Sequence, residues 1–414
     1  MKKLSLRLVA FALALIMAFS MFACDNSGSG ENQNQGGSGG SQTSGGPDSA
    51  YEGGVMPDAP TVVECADTDG EIKNIILIIG DGMGEAQLDA AELIYGSEYD
   101  FRYDFDKFYS DTNSLNEKTG KATEVTDSAA SATAMATGYL TYNKYTGINK
   151  DLKKLTTLLD IAKLAGKATG MVTTDELVGA TPSAFTAHTM NRNLEHEVVK
   201  SQIQSGVDLL IGQYSARYVE YEERIKEKYN YFDSYDRSAI LSKREEDTLL
   251  HCEIETEADS SVSLAELAML AIDYLSADSD GFVLVIEQAH IDKYCHDMNL
   301  AGAVSAAQSL NETIEAVMEF AMDSADTAVI VTADHETRGL VVSEDEDEYS
   351  RTIETEDGSV ISYEFTATYH TDTLVPVYVW GFDAHPERCT TFKSKEKIKN
   401  SDIYHFIVDL IENS

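Results

Sequence analysis

Basic residues are scarce in this 414-residue chain: 31 Lys and Arg stand against 71 Asp and Glu, a formal net charge of −40. Affinity for nucleic acid rests on clustered Lys and Arg that release condensed counterions, so this deficit excludes a nucleic-acid-binding protein. It also disfavours attraction to an anionic membrane surface. Cysteine is rare, with five in the whole chain, which excludes a scaffold built on disulfides. A hydrophobic content of 43% with 25% charged residues excludes global disorder and a multi-span membrane protein. No internal repeat of fixed period is present. At least one large core is feasible.

What is present begins with Lys2, Lys3 and Arg7, an apolar run from Leu8 to Phe22, and Ala23 before Cys24. This is the layout of a secretory signal over residues 1–23. The run is too short and too early for a comfortable spanning helix, and polar linker follows it. Met21-Phe22-Ala23-Cys24 resembles a bacterial lipoprotein cleavage box, with Met21 where Leu is commonest. Lipidated Cys24 would then attach the protein to the cell membrane on its extracytoplasmic side; the alternative is cleavage nearby, with Cys24 a bystander. Asp25 to Ala50 contains eight Gly, six Ser and no aromatic or large aliphatic residue. Such a segment cannot bury enough apolar area to offset its ordering entropy, and as a coil it spans on the order of 28 Å. Residues 24–70 are therefore expected to be a tether, and 71–414 the catalytic domain.

Within 71–414, apolar runs at Asn74–Ile79, Ala168–Thr173, Val207–Ile211, Gly281–Ile286, Thr327–Thr332 and Leu374–Trp380 read as buried strands. Helical patterns at Leu155–Leu164, Leu264–Leu275 and Ala301–Phe320 lie between them. The alternation predicts an α/β fold: a large, mostly parallel sheet with helices on both faces. Tyr214 to Asp259, rich in Glu, Lys, Arg and Tyr, shows no clear strand and reads as a helical insertion or cap beside the active face, or else a solvated excursion. The consecutive acids Glu344 to Glu348 read as a solvated loop, because a calcium loop needs spaced ligands.

In sheets of this class, sites form beyond the C-terminal strand ends. The run ending at Ile79 leads into Gly80-Asp81-Gly82; the run ending at Ile286 leads into Glu287, then Asp292 and His296; the run ending at Thr332 leads into Asp334-His335; and His370 precedes one more strand. A single Asp at a strand end is usually a turn residue, but four such places together carry the imidazole and carboxylate set that binds zinc-like ions. The ligands exceed one tetrahedral site, so two or three metals are implied. Asp127-Ser128, followed by small residues down to Ala134, reads as a helix N-terminus. A Ser there has its oxygen beside unpaired amides and the positive end of the helix dipole; taken alone, either residue could be only an N-cap. His188, His196, His251, His290, His385 and His405 have no comparable partners in sequence.

These residues resemble the alkaline phosphatases. The resemblance runs through Asn74 to Gly84, Thr126 to Ala134, Ala180-Thr181-Pro182 with Ala187-His188 and Arg192, Glu287 to His296, Thr332 to Thr337 and His370-Thr371, in the family's order over roughly residues 72 to 412. It implies hydrolysis of small phosphate monoesters through a phosphoserine at Ser128, with two zinc ions and one magnesium. Asp81, Asp334 and His335 would hold one zinc; Asp292, His296 and His370 the other. Arg192, positioned by Asp127, would clamp phosphate, and Lys293 could reach it through water or be merely solvated. Glu287 and Thr181, with Asp81 bridging, would form the magnesium site. A homodimer is expected by family analogy. The alternative is a phosphodiesterase or other ester hydrolase of the same metal-dependent superfamily; the Arg192 clamp counts against a diester, and no Cys-x-Pro-x-Arg signature of sulfatases occurs.

Three departures stand out. Gly179 takes a position where the family often has Asp or His, so the magnesium site is expected to bind weakly. Cys295, beside His296, is expected to be a buried thiol, and pairing among Cys65, Cys252, Cys295 and Cys389 cannot be read from spacing. Arg338 replaces a residue that is often small. Losing residues 1–23 removes three basic residues and no acid, taking the net charge from −40 to −43. A dianionic substrate would therefore be repelled at long range and attracted only locally. Accordingly kcat/KM should rise with moderate salt as screening weakens that repulsion; a steep fall on adding salt would contradict the placement of charge.

Overall fold

Five consecutive aliphatic residues, Ile75 to Ile79, are fully buried in strand β1 (Asn74–Gly80). Such a run suits only a central strand covered on both faces. The computed structural model of the chain describes residues 72–96, 105–252, 262–324, 326–345, 348–355, 358–381 and 397–412. The expected signal, Cys24 and the tether lie outside these residues, as do Cys65, Cys389 and His385.

After β1 come α1 (Glu85–Tyr95), β2 (Asp106–Asp111), β3 (Ser114–Leu115), β4 (Ala122–Glu124), α2 (Ser128–Thr137), α3 (Leu158–Leu164), β5 (Ala168–Glu176), α4 (Ala180–Thr186) and α5 (Glu195–Gln202). The middle of the chain forms β6 (Leu209–Gln213), α6 (Ala216–Val219), α7 (Glu222–Lys226), β7 (Asn230–Phe232), α8 (Arg237–Leu241), β8 (Thr248–Cys252), α9 (Leu264–Leu275), β9 (Phe282–Gln288), α10 (His290–His296) and α11 (Leu300–Asp323). The last part holds β10 (Thr327–Thr332), β11 (Glu336–Thr337), β12 (Leu340–Ser343), β13 (Arg351–Glu354), β14 (Val360–Phe365), β15 (His370–Thr371), β16 (Val375–Trp380), β17 (Ile398–Lys399) and α12 (Asn400–Glu412).

Ten strands form one sheet in the order β17-β2-β16-β10-β1-β9-β5-β6-β8-β7. Only β16 runs against the others, pairing antiparallel with both β10 and β2. The six strands read from apolar runs are the six contiguous central ones. Alternate β1 side chains enter two cores: Ile76 and Ile78 pack with α1, α9 and α11, while Ile75, Leu77 and Ile79 pack with α2, α3, α5 and α12. The helices start where their caps dictate. Thr157 with Asp160, and Ser263 with Glu266, make reciprocal capping boxes at α3 and α9.

The insertion departs from expectation in part. Its described portion does contain three short helices, but it also supplies β7 and β8, which extend the sheet at one edge. β7 is only Asn-Tyr-Phe, and β8 flanks Leu249-Leu250 with Thr248 and His251, so neither has the aliphatic run of a buried strand. Residues 253–259 lie outside the described residues. Among the described residues, no helix is long and apolar enough to cross a membrane.

The double-sided core makes a direct prediction. Leu77→Ala should cost about 2–5 kcal/mol in urea unfolding, whereas Leu164→Ala, at an 81% exposed position, should stay within about 0.5 kcal/mol. Similar losses at both positions would contradict this layering.

Candidate active site

The parallel register sets the ends of three strands level. Ile79 stands opposite Glu287 on one side and Thr332 on the other, so Asp81, Glu287 and Asp334 emerge at the same sheet edge. The turn after β1 interlocks them. Gly82 has φ +77, and a Cβ there would stand 2.8 Å from both the Asp292 Cα and the Thr337 Oγ1, so the turn demands glycine for conformation and for space. Its N–H donates to Asp334 Oδ1 at 3.0 Å, and the Asp292 N–H donates to the Asp81 carbonyl at 2.9 Å.

Two groups of ligand atoms result, each within 4.8 Å: Asp81 with Asp334 and His335, and Asp292 with His335 and His370. His335 stands between them. Its Nε2 is 3.1 Å from Asp334 Oδ2 and 3.6 Å from Asp81 Oδ1, and its ring stacks on His370. His296 Nε2 approaches Asp292 Oδ1 at 3.2 Å and His370 Nε2 at 3.0 Å, completing the second expected triad. Hydrogen bonds on the far side orient two of the rings. His370 Nδ1 can only donate to the Thr126 carbonyl at 2.8 Å, which turns Nε2 inward. Thr337 donates to Asp292 Oδ1 at 2.5 Å, leaving its own oxygen to accept from His335 Nδ1 at 3.3 Å. Inward-facing imidazole nitrogens opposite carboxylate oxygens are the donor set of a metal site with its outer shell in place.

Ser128 opens α2, and its Oγ lies 3.2 Å from His335 Nε2. Asp127 caps the helix, accepting from the Ala130 N–H at 3.0 Å and the Lys144 N–H at 2.9 Å, while Arg192 Nη1 stands 3.9 Å from Asp127 Oδ2. The cap reading and the functional reading of this pair are therefore compatible. Small residues let α2 pack closely, and Ser131 Oγ donates to the Asp334 carbonyl at 2.6 Å, tying the helix to the end of β10.

Glu287 is buried and accepts from Thr173 Oγ1. Thr181 Oγ1 is buried without a hydrogen bond of good geometry, yet lies close enough to Glu287 to favour its ionised form. Lys293 is not simply solvated: its ammonium group pairs with Asp175 Oδ1 at 2.5 Å. Arg338, in the left-handed region at φ +71, donates to the His296 carbonyl at 2.7 Å and so steadies the backbone at His296. Cys295 is buried with a free thiol. The sequence reading assigned no role to Thr337, Asp175 or Asn143, whose Oδ1 accepts from the Asp127 N–H at 3.1 Å; these supporting residues have no spacing signature.

The electrostatics ask for cations. Burial, then Asp334 and the other acids, pushes Asp81 well above the usual carboxylate range. Burial and Asp292 push Asp334 up to about 6, and burial and Asp175 push Glu287 up to about 7. Burial also opposes ionisation of Asp292, but hydrogen bonds from His296 and His370 outweigh it and hold that group well below its ordinary value. Burial, then His370, drives His335 well below its ordinary value, leaving a neutral ligand. Among the described residues, Asp81 Oδ1 and Asp334 Oδ2 are buried with no hydrogen-bond partner. Buried acceptors left facing one another fit divalent cations and little else.

A two-sided α/β sheet carrying a helix-capped serine beside two histidine and carboxylate groups defines a metal-binding α/β enzyme. The chain belongs to the alkaline phosphatase family, whose family model, Alkaline phosphatase, matches residues 72–219 and 213–377. Alkaline phosphatase 3 of Bacillus subtilis (strain 168) is 30% identical over 325 residues, spanning 72% of this chain and 68% of that protein. Alkaline phosphatase of Escherichia coli (strain K12) is 29% identical over 387 residues, 76% of this chain and 82% of that protein. Among solved structures, a mutant of the alkaline phosphatase from the Antarctic bacterium TAB5, with Mg bound in the M3 site, superposes with a TM-score of 0.69 at 27% identity, covering 83% of this chain and 99% of that one.

The raised acids predict how the metal-free protein responds to pH. Glu287 shifts from 4.5 in the unfolded chain to about 7 in the fold, so its contribution is fully present below pH 4.5 and is lost as pH rises through 7. Asp81 and Asp334 act in the same sense and His335 in the opposite one. In chelated protein, the fall in Tm between pH 4.5 and 7 should therefore be shallower for Glu287→Gln than for wild type. Equal slopes would show that Glu287 is not raised by the fold.

Proposed function

We propose that this protein hydrolyses phosphate monoesters through a phosphoserine at Ser128, using two zinc ions and one magnesium ion, outside the cytoplasm and anchored through lipidated Cys24. The observation that carries the reading is the placement of Ser128 Oγ at the start of α2, 3.2 Å from His335 Nε2 and beside both ligand groups. Asp81, Asp334 and His335 would hold one zinc, and Asp292, His296 and His370 the other. Glu287, Thr181 and Asp81 would hold magnesium. When bound, such ions neutralise charge on a transferring phosphoryl group and favour ionised oxygen nucleophiles near neutral pH.

The chain's own groups position the reaction. Ser128 Oγ gives up its proton to solvent and attacks phosphorus, the Oγ–P bond forming as the ester P–O bond breaks and the alcohol leaves, its oxygen taking a proton from solvent; water then cleaves the phosphoserine, releasing inorganic phosphate and returning a proton to Oγ. The α2 amides and dipole favour the anionic serine. Arg192 presents a planar fork to two non-bridging oxygens, a match that Lys cannot reproduce, and Asp127 orients it. Little covalent chemistry is asked of the protein, because phosphoryl transfer depends mostly on positioning and charge stabilisation.

Ser128→Ala should abolish burst phosphorylation and lower kcat on the order of 10³-fold or more. Wild-type turnover in that variant would refute the nucleophile. The protein should also turn over p-nitrophenyl phosphate faster than its bis ester, and the reverse order would make it a phosphodiesterase.

A further inference from the structure

We propose that Asp175, which ends β5 beside Glu176, belongs to the third cation site and supplies there the carboxylate that position 179 lacks. The inference rests on the third site of the proposed function. Gly179 has φ −54, a conformation open to any residue. What excludes a side chain is space: a Cβ at 179 would stand 2.4 Å from Asp175 Oδ2, 2.9 Å from Asp175 Cγ and 2.9 Å from the Glu176 carbonyl oxygen. The carboxylate of Asp175 thus occupies the volume into which a side chain from 179 would project. A residue at the end of the strand replaces one at the start of the following helix.

The carboxylate is held firmly. Its Oδ1 accepts from the Glu176 N–H at 2.8 Å and from Lys293 Nζ at 2.5 Å, while its own N–H donates to Thr173 Oγ1 at 2.9 Å. Thr173 in turn donates to Glu287. Among the described residues, Oδ2 accepts no hydrogen bond. Thr173 Oγ1 thus bridges the Asp175 backbone and the Glu287 carboxylate, and the Asp175 charge opposes ionisation of Glu287. Thr181 Oγ1 and Asp81 Oδ1, both fully buried and without hydrogen-bond partners, are the other oxygens of the set. Carboxylates and a hydroxyl, with no nitrogen or sulfur, select a hard cation such as magnesium over zinc. Asp175 also anchors Lys293 at this site, so the ammonium group is positioned by the same carboxylate. The glycine at 179 then signals a relocated ligand, and the expectation of weak magnesium binding loses its basis.

The test is calorimetric titration of Mg²⁺ into full-length, zinc-loaded, magnesium-free protein, with zinc content checked by elemental analysis. Asp175→Asn, which keeps the shape of the side chain, and Asp175→Ala should each weaken magnesium binding about tenfold or more while zinc is retained. Should the alanine variant fail to fold, the isosteric Asp175→Asn decides the matter. Unchanged magnesium affinity in Asp175→Asn, or no magnesium binding by wild type, overturns the proposal. Trapping of phosphoserine in wild type reports separately on the proposed reaction. If it forms while magnesium affinity is unmoved, only the role of Asp175 falls; if it does not form while Asp175→Asn weakens magnesium, the site stands and the reaction falls.

Discussion

Buried negative charge gathered at one edge of a parallel sheet is the constraint on which the rest of this structure depends. Asp81, Asp292 and Asp334 meet there because strands β1, β9 and β10 are in a register that ends them together. Nothing in the hydrophobic interior rewards that meeting, since each acid raises the cost of ionising its neighbours. The arrangement persists because the core on both faces of β1 holds the register, and because hydrogen bonds from Gly82 and Thr337 hold two of the carboxylates in place before any cation arrives.

The same constraint explains what surrounds the acids. His335 and His370 each spend one ring nitrogen on an outward hydrogen bond, which fixes the other nitrogen toward the carboxylates. Arg338 and Ser131 bind the backbone rather than the side chains of ligand residues, holding His296 and Asp334 from behind. Preorganisation of this kind matters for phosphoryl transfer, in which misplacement of charge costs more than weak contact does.

How much of this was legible in the sequence follows from where each residue stands. Six strands were readable because a strand covered on both faces is a run of aliphatics, as Ile75 to Ile79 and Val283 to Ile286 are. The outer strands were not: Asp106–Asp111 is Asp-Lys-Phe-Tyr-Ser-Asp, with one face in water, and β17 is two residues long. The candidate ligands were readable because each follows an apolar run or a motif. Asp175 was hidden by its own neighbourhood, where Thr173, Thr174 and Glu176 are equally polar and nothing in the spacing singles out one carboxylate. Gly179 was read as a loss because a missing side chain is visible in sequence, whereas the atom filling its space is visible only in three dimensions.

Charge arithmetic at the site reconciles an acidic protein with an anionic substrate. Two divalent cations among Asp81, Asp292 and Asp334 would set four positive charges against three negative ones, and Arg192 is offset by Asp127 beside it, leaving a local surplus of one positive charge to meet an ionised phosphate monoester. At the third site, the two charges of a magnesium ion and the one on Lys293 face Glu287 and Asp175, so it too is slightly cationic once filled. Bound ions are the largest local charges in such a site and reverse the field that the protein alone would present. The surrounding acids act over longer distances, where salt screens them within about 10 Å, while the metal contacts lie well inside that range. The excess of acids over bases and the affinity for phosphate therefore operate on different length scales, and the cations separate the two.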